Sequence, residues 1–340
     1  MRIISMKDKV IRREHGYGGS QTLELIRDII MPEISNPYAL KMDDGAVMPF
    51  NSDSIVFTAD SFVVSPCFFP GGDIGKIAVA GTVNDIIAQG GRPQYLSMTL
   101  ILEEGFPIEY LQRIASSAAA EARNASVFIV CGDLKVVEKN KADGVYATTS
   151  GVGEPVIRFA DIKAEENDII IAAGTSGDHG AAIFQARNGL LEDSPSILSD
   201  CMELTRLLPI LEKLKDDIIF MRDPTRGGIA QVSIEIADML GRDIHLEESN
   251  IPVKDWVRGL CGIAGLDPLY LPCEGNMIFL VREPAAVRVL DLLSEAGFKD
   301  ASAIGKVGNE KNNPGGFVLT SSGGIRRLSG SDIAQIPRIC

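Results

Sequence analysis

Aspartate residues recur in this sequence where a predicted strand ends or a glycine turn begins. Asp43 and Asp44 lie in MDDGAV, Asp60 ends the predicted strand VFTAD, and Asp85 and Asp223 lie in VNDIIAQGG and DPTRGG. Such positions commonly carry ligand-binding groups. Several carboxylates beside glycine turns suit Mg²⁺, which proteins usually hold with a few carboxylates together with the phosphates of a substrate.

Asp85 is the most informative of these residues because its predicted helix, residues 74–89, is apolar nearly all round. Such a helix is buried. A buried carboxylate costs free energy unless it is paired or binds a metal. For any single aspartate, a structural salt bridge or a helix cap is the more common role. For the whole set, a metal site is the better interpretation.

Three glycine-rich stretches suit the same kind of ligand: HGYGGS (15–20), FPGGDIG (69–75) and DPTRGG (223–228). Glycine lets the backbone approach a polyphosphate closely, although a glycine turn alone is more often only a turn. None of the three contains the GxxxxGK[ST] pattern of a phosphate loop. A nucleotide site in this protein would therefore differ from that of the P-loop enzymes.

Three further residues could act chemically on a bound substrate. Lys135 lies two positions after Asp133, and Glu274 precedes an apolar stretch in LPCEGNMIFLV. A solvated surface lysine and a turn glutamate are the ordinary alternatives. The chain ends on Cys340 in DIAQIPRIC, where a tethered thiol could visit an active site. Terminal residues are more often frayed and chemically idle, so the residue alone leaves both interpretations open.

Composition limits the class of protein. The chain has 340 residues, 45% of them hydrophobic, and a formal net charge of -13. The length suits two domains, and the charge argues against nucleic acid or an anionic membrane as the main partner. The six cysteines have no CxxC spacing and there are three histidines, which argues against structural zinc. With no signal-peptide pattern and no apolar run of membrane-spanning length, we expect a cytoplasmic protein.

The elements that would position these residues alternate between strand and helix. Strands are predicted at 54–64, 93–102, 127–133, 144–154, 169–174, 217–221, 276–281, 302–307 and 316–320. Helices are predicted within 71–91 with Asp73 as N-cap, at 107–125, from Ala181 onward, at 229–240 and at 284–297. This order predicts an α/β (α+β) protein with a first domain at 1–155, a second at 156–329 and a mobile tail at 330–340.

The sequence resembles the HypE family of hydrogenase maturation proteins, within the ATP-binding superfamily of aminoimidazole ribonucleotide synthetase and selenophosphate synthetase. The motifs that carry the resemblance are HGYGG, DDGAV, TADSFVVSPCFFPGGDIGKIAVAGTVNDIIAQGG, CGDLKVV, DPTRGG, CEGNM and the terminal PRIC. The stretch SPCFFPGGDIGK and the PRIC ending are the most specific. Two positions depart from the family pattern: Tyr17 replaces a residue that is often small, and Cys273 replaces a common asparagine.

The resemblance implies a two-domain subunit that dimerises through its first domain and binds ATP and Mg²⁺ between the domains. It implies that the carbamoyltransferase HypF loads a carbamoyl group onto the terminal cysteine. ATP-dependent dehydration would convert this group to a thiocyanate. The cyanide would then pass to the HypC–HypD complex, which assembles the iron ligands of [NiFe]-hydrogenase.

The resemblance also implies roles for individual residues. The implied metal ligands are Asp44, Asp85 and Asp223. The implied catalytic residues are Cys340 as carrier, Glu274 as base and Lys135 beside the transferring phosphoryl group. The implied ATP contacts are Asp43, Asp60, Gly18, Gly19, Asn84, Asp133, Thr225 and Arg226.

Two other functions stay open at this point. One is another phosphorylating enzyme of the same superfamily, such as a selenophosphate synthetase. Such an enzyme is expected to carry a reactive cysteine or selenocysteine in an N-terminal glycine-rich loop, whereas the first cysteine here is Cys67. The other is a nucleotide-binding maturation scaffold without catalytic activity, which would not couple ATP turnover to carbamoylation of Cys340.

Overall fold

The computed structural model describes residues 9–42, 45–159, 162–189, 197–330 and 340. The first domain is built on a four-stranded sheet in the order β1-β6-β4-β5. Its helices are α1 (Ser20–Leu25), α2 (Met31–Ile34), α3 (Ile74–Ala88) and α4 (Ile108–Asn124), and a π-helical turn at Ile26–Ile30 joins α1 to α2. Its strands are β1 (Val56–Phe62), β2 (Phe68–Phe69), β3 (Gly72–Asp73), β4 (Gly91–Glu103), β5 (Phe128–Val137) and β6 (Val145–Pro155).

The connections of this sheet follow from its pairing pattern. Strands β4 and β5 are parallel and α4 joins them, whereas the β1–β6 and β4–β6 pairs are antiparallel. The predicted strand at 127–133 is too short, because Leu134 and Val136 continue the ladder against β4 as far as Val137. Asp133 and Lys135 therefore lie inside a strand and not in a turn after it.

Helix α3 is buried on all sides, as its uniformly apolar sequence predicts. Asp73 caps it, accepting hydrogen bonds from the backbone N–H groups of Gly75 at 2.9 Å and Lys76 at 3.0 Å. One face of the helix packs on the first sheet and another on the second domain. Gly81 allows a close approach, since a Cβ there would lie 3.1 Å from the ring of Phe62.

The second domain contains a seven-stranded sheet in the order β13-β12-β9-β11-β7-β10-β8. Its strands are β7 (Ile169–Ala172), β8 (Ile218–Arg222), β9 (Arg242–Glu247), β10 (Ile278–Val281), β11 (Ser302–Glu310), β12 (Gly316–Leu319) and β13 (Ile325–Arg327). Its helices are α5 (Asp178–Arg187), α6 (Leu208–Lys213), α7 (Gly228–Leu240), α8 (Asp255–Ala264) and α9 (Ala286–Glu295). The pair β9–β12 is parallel and the other pairs are antiparallel.

Short 3-10 turns complete the chain, at Arg13–Gly16, Ala39–Lys41, Thr205–Leu207, Glu248–Asn250, Pro268–Tyr270 and Glu283–Ala285. The α/β (α+β) fold class is confirmed. The sequence-based assignment missed β2, β3, β9, β13, α1, α2, α6 and α8, and it began α5 three residues too late, at Ala181. The domain boundaries at 155/156 and 329/330 stay predictions, as does dimerisation.

The two domains share an apolar core. A single cluster of buried residues includes Val83 and Ala118 from the helices of the first domain with Ile171, Leu204 and Phe279 from the second. An apolar interface of this kind fixes the relative orientation of the two domains better than a polar one. Among the described residues, no helix has both the length and the apolar character needed to cross a membrane.

Candidate active site

A cavity of about 350 Å³ opens between β1 and α3 of the first domain and the loop that follows β8 in the second. Five of the predicted site residues line it: Asp60, Asp85, Asp223, Thr225 and Arg226. They come from three separate stretches of sequence. Three aspartates that are distant in sequence therefore meet at one cavity.

Local structure explains how each stretch reaches the cavity. Thr58 and Asp60 alternate with exposed residues along β1 and lie on its half-buried side. Asp85 projects from α3, and Asp223 directly follows β8. The loop then turns sharply into α7 at Gly228, whose φ of 61° and whose close approach to the Leu269 carbonyl, 2.4 Å from a Cβ at this position, both require glycine.

The cavity holds more negative than positive charge in close proximity. Burial first, and then repulsion by Asp223, raises the pKa of Asp85 to about 6, although the Thr58 hydroxyl donates a hydrogen bond to Asp85 Oδ2 at 2.8 Å. Burial likewise raises the pKa of Asp223. Arg226 pairs with Asp60 at 3.6 Å, at the outer limit of an ion pair. Two half-buried carboxylates thus repel each other in a site that would be stabilised by a cation.

This donor set suits Mg²⁺. Carboxylate oxygens are its preferred protein ligands, and it usually takes its remaining ligands from water and substrate phosphates. Among the described residues, no three acidic, histidine or cysteine side chains are close enough to form a metal site by themselves. The third predicted ligand, Asp44, and the predicted ATP contact Asp43 lie outside the described residues.

Glu274 is buried beside this cavity, with 2% of its surface exposed. Its carboxylate lies against α3, because a Cβ at Gly81 would be 3.9 Å from Glu274 Oε2. The other oxygen, Oε1, has no hydrogen-bond partner among the described residues. Burial, followed by repulsion from Asp223 and Asp200, raises the pKa of Glu274 well above its ordinary value. An unpartnered buried carboxylate of this kind can accept a proton from a substrate.

Cys340 is docked at the same place. The Val63 N–H donates a hydrogen bond to a backbone carboxylate oxygen of Cys340 at 3.0 Å, so the terminal residue lies just beyond the end of β1. Burial, followed by the negative charges of Glu274 and Asp60, raises the pKa of the Cys340 thiol to about 12. The predicted carrier thiol, the candidate base and the cavity therefore share one region. Residues 331–339 of the predicted tail lie outside the described residues.

Four of the predicted site residues lie away from this region. Gly18 and Gly19 are exposed and precede α1. Asp133 and Lys135 are exposed on β5, at the opposite edge of the sheet from β1. Across the sheet, the register aligns Asp133 with Thr99, Thr148 and Ser61. Ser61 is next to Asp60 on β1, so the two side chains point to opposite faces of the sheet. Asp133 and Lys135 therefore lie on the face opposite to Asp60.

Lys135 and Asp133 pair with each other within this chain. The Lys135 Nζ lies 2.7 Å from Asp133 Oδ2, and this hydrogen bond lowers the pKa of Asp133. Asp133 lines a second cavity, of about 200 Å³, which is mainly apolar and lies between the α1–α2 region and β5. In a single chain, Lys135 has the surroundings of a solvated surface lysine.

Asn84 lies at the domain interface. Its amide nitrogen donates to the carbonyl oxygens of Met202 at 3.0 Å and Glu274 at 3.1 Å, and its oxygen accepts from the Leu204 N–H at 2.9 Å. Its side chain therefore binds backbone atoms of the second domain, and its contact with ATP stays a prediction. Asp200, which binds the backbone on the other side of Glu274, was not predicted from the sequence.

Comparison with known proteins shows which family the chain belongs to. The N-terminal domain model of AIR synthase related protein matches residues 42–154, and the corresponding C-terminal domain model matches residues 165–314. A carbamoyl dehydratase HypE from Azotobacter vinelandii is 38% identical over 342 residues, covering 99% of this chain and 99% of the relative. The chain belongs to the HypE family. This confirms the resemblance drawn from motifs such as DPTRGG and PRIC.

Solved HypE structures share the fold. A crystal structure of hydrogenase maturation protein HypE in complex with ATP has a TM-score of 0.90 and 38% identity, covering 97% of this chain and 99% of that chain. A crystal structure of a HypE–HypF complex has a TM-score of 0.77 and 40% identity, covering 90% of this chain and 99% of that chain. The two-domain HypE architecture therefore extends over essentially the whole chain.

Proposed function

We propose that this HypE-family enzyme uses ATP to dehydrate a carbamoyl group on Cys340 to a thiocyanate, which supplies cyanide for the iron of [NiFe]-hydrogenase. The observation that carries the proposal is the docking of Cys340 against the region of Glu274 and Asp60. A core cysteine could not receive a group from another protein and then present it to a buried base. A terminal cysteine can do both.

ATP binds, in this proposal, in the cavity lined by β1, α3 and the loop after β8. The likeness to a HypE structure solved with ATP supports binding of ATP, and the charges lining this cavity favour it as the site. Asp85 and Asp223, with Asp44, would hold Mg²⁺, which supplies positive charge to the phosphates during transfer. Asp60, Thr225 and Arg226 line the same cavity and are proposed to contact the nucleotide.

The chemistry balances with ATP as the only co-substrate. The oxygen of the S-carboxamide attacks the γ-phosphorus and ADP leaves, which converts a poor leaving group into phosphate. The first amide proton passes to water as the nitrogen of the phosphorylated intermediate becomes neutral. Glu274 takes the last N–H proton while the C–O bond breaks, and the product is S–C≡N with free phosphate. Burial raises the pKa of Glu274, and repulsion by the Asp223 carboxylate raises it further. A cation bound at Asp223 would offset that repulsion and so favour the ionised, basic form of Glu274.

Three partners belong to this proposal. HypF loads the carbamoyl group, which the likeness to a HypE–HypF complex supports. The HypC–HypD complex accepts the cyanide, as the resemblance of the sequence implies. A second copy of the chain completes a homodimer, and the position of Lys135 supports this, as described below.

Phosphate release tests the function directly. The chain is incubated with Mg-ATP before and after Cys340 has been carbamoylated, and phosphate is measured. We expect release only from the carbamoylated protein, with about one phosphate per carbamoyl group because one phosphoryl transfer drives one dehydration. Release at the same rate without the carbamoyl group would instead support another phosphorylating enzyme of the superfamily. Nucleotide binding with no release in either state would support a scaffold.

Lys135 can reach the cavity only from another copy of the chain if it acts in catalysis. Within one chain it lies on the wrong face of the sheet and at the wrong edge, with strands β1 and β5 separated by roughly 14 Å given the usual strand spacing. The open face carries exposed Phe57 and Phe128 among small polar residues such as Ser61 and Thr148. We propose that this face and the β5 edge form the dimer contact.

Mixed dimers test this arrangement. Lys135→Ala and Asp85→Asn are each expected to abolish thiocyanate formation. In an equal mixture that has exchanged subunits, about a quarter of wild-type activity should return, because about half the dimers are mixed and each contains one intact site. A mixed dimer with no activity would contradict the arrangement. If Lys135→Ala alone turns over normally, Lys135 is a solvated surface residue.

A further inference from the structure

The peptide that carries Glu274 is held from both sides by residues of other elements. The carboxylate of Asp200 accepts two hydrogen bonds, Oδ1 from the Glu274 N–H and Oδ2 from the Gly275 N–H, both at 3.1 Å. On the other side, the Asn84 amide donates to the Glu274 carbonyl oxygen at 3.1 Å. The N–H and the C=O of one residue are therefore both bound by side chains, which fixes the orientation of its peptide planes.

Asp200 belongs to a segment, residues 199–204, that bridges the two domains. Toward the first domain, the Ser199 N–H donates to the Pro70 carbonyl oxygen at 2.9 Å. The Glu203 N–H donates to Glu121 Oε1 at 2.7 Å, and the Leu204 N–H to Asn84 Oδ1 at 2.9 Å. Toward the second domain, the same segment presents the carboxylate of Asp200. The 199–204 segment thus ties the Glu274 peptide to helices α3 and α4.

Close packing leaves this segment little freedom. A Cβ at Gly275 would lie 2.0 Å from the Asp200 carbonyl oxygen, and a Cβ at Gly71 would lie 2.7 Å from that of Ser199. Both neighbours of the segment are therefore glycines at positions where no side chain fits. The two glycines lie in CEGNM and FPGGDIG, on opposite sides of the domain interface. Displacement of Asp200 toward either side is blocked by backbone atoms.

We infer that Asp200 is a positioning residue for the dehydration step, holding the carboxylate of Glu274 at a fixed offset from the phosphoryl-transfer cavity through the 199–204 segment and Asn84. Asn84 directly precedes Asp85 on α3, so two adjacent residues of one helix link the peptide of the base to a cavity carboxylate. This role rests on the function proposed above. Asp200 itself touches no substrate in this arrangement.

The position of Glu274 matters because the phosphorylated intermediate has two fates. If a base lies within hydrogen-bond reach of its nitrogen, the last N–H proton leaves and thiocyanate forms with phosphate. If the base is displaced, water can attack instead, and this hydrolysis returns the S-carboxamide and releases phosphate. The second route consumes ATP and water without making thiocyanate. Misplacement of Glu274 therefore uncouples ATP consumption from dehydration.

The ratio of phosphate released to thiocyanate formed tests the inference. In Asp200→Asn, one side-chain oxygen can still accept a backbone hydrogen bond. The other oxygen becomes an NH₂ group, which cannot accept and which faces the second backbone N–H. We expect a ratio near one in the wild type and a rise on the order of tenfold in Asp200→Asn, smaller than the effect of losing a general base altogether. The KM for ATP should stay unchanged, because the cavity is intact. Asp200→Asn combined with Glu274→Gln should be no more uncoupled than Glu274→Gln alone.

A matched control separates positioning from simple loss of a buried hydrogen bond. Asp243 is also buried and accepts from the Gly315 N–H at 3.2 Å, away from Glu274. Asp243→Asn should lower the unfolding temperature without changing the ratio. If Asp200→Asn does not fold, Asn84→Ala removes the other side of the support and should raise the ratio in the same way.

Three results would overturn the inference: a ratio of one in a folded Asp200→Asn or Asn84→Ala protein, an equal rise in Asp243→Asn, or additive effects in the double variant. Failure of the proposed function would look different. In that case the wild type itself would form no thiocyanate, whatever happens in the variants.

Discussion

Replacing Cys340 with serine should eliminate thiocyanate formation, whereas ATP binding and thermal unfolding stay close to wild type. The reason is chemical. A thiocyanate contains the sulfur of its carrier, which serine lacks, and a hydroxyl is a far poorer acceptor of the carbamoyl group than a thiolate. The residue is terminal and makes one described backbone hydrogen bond, through its terminal carboxylate oxygen, which serine retains. Mass spectrometry of the C-terminal peptide after incubation with HypF and carbamoyl donor measures the loss.

Cys67→Ser is the matched control. Cys67 is also half-buried and packs against the same apolar cluster as Cys340, and burial raises the pKa of its thiol. This variant should load and dehydrate the carbamoyl group normally. Thiocyanate formation by Cys340→Ser would contradict the account, since another thiol would then be the carrier.

The same thiol should make tail docking depend on pH. The docked thiol has a pKa of about 12 against an ordinary value of 9.0, so the docked state holds its proton more tightly than the free tail. Docking is then fully stabilised below the ordinary pKa and weakens as the pH rises through it toward 12. Loading by HypF should therefore use the undocked thiolate, whereas the neutral S-carboxamide docks without this opposition.

Replacing Asp85 with asparagine should abolish ATP turnover, by a factor on the order of a thousand or more, as expected for loss of a carboxylate that holds the metal for phosphoryl transfer. The fold should survive, because asparagine can still accept the hydrogen bond from the Thr58 hydroxyl. Isothermal titration calorimetry should show weakened Mg-ATP binding. Asp238→Asn, which removes the same charge from an exposed position on α7, should behave as wild type. Unchanged Mg-ATP binding in Asp85→Asn would count against its assignment as a metal ligand.

Thermal unfolding without Mg²⁺ or nucleotide provides a second readout for this variant. Since the pKa of Asp85 is raised to about 6, folding favours its protonated form, and its contribution to stability is lost as the pH rises through that value. Asparagine does not ionise, so Asp85→Asn does not lose stability as the pH rises. The variant should therefore be more stable than wild type at pH 7, and the difference should disappear below about pH 4, where Asp85 is protonated even in the unfolded chain.

The sequence was sufficient for the parts of the fold that local pattern determines. Helix α3 was predictable because its apolar residues leave no polar face and Asp73 supplies a cap. The cavity residues Asp60, Asp85 and Asp223 were predictable because they end strands or adjoin glycine turns. These signals act over a few residues, and the structure retains them.

Roles that depend on contacts distant in sequence could not be found this way. Asp200 binds backbone groups 74 and 75 positions later in the chain, and no turn or strand end marks it in LSDCMEL. The motif predicts an ATP contact for Asn84 but does not reveal that its side chain binds backbone atoms 118, 120 and 190 positions away. The location of Lys135 on the far side of the sheet follows from strand order, which local pattern does not encode.

The mass of the C-terminal peptide, followed through one reaction cycle, tests the central claim most directly. The full chain is incubated with HypF and a carbamoyl donor, divided, and treated with Mg-ATP or with Mg-ADP. The account predicts that the peptide ending in Cys340 gains one carbamoyl group and then, with Mg-ATP only, loses the mass of one water to become the thiocyanate. A carbamoylated peptide whose mass does not change with Mg-ATP, or a peptide that never acquires the carbamoyl group while another cysteine does, would contradict it.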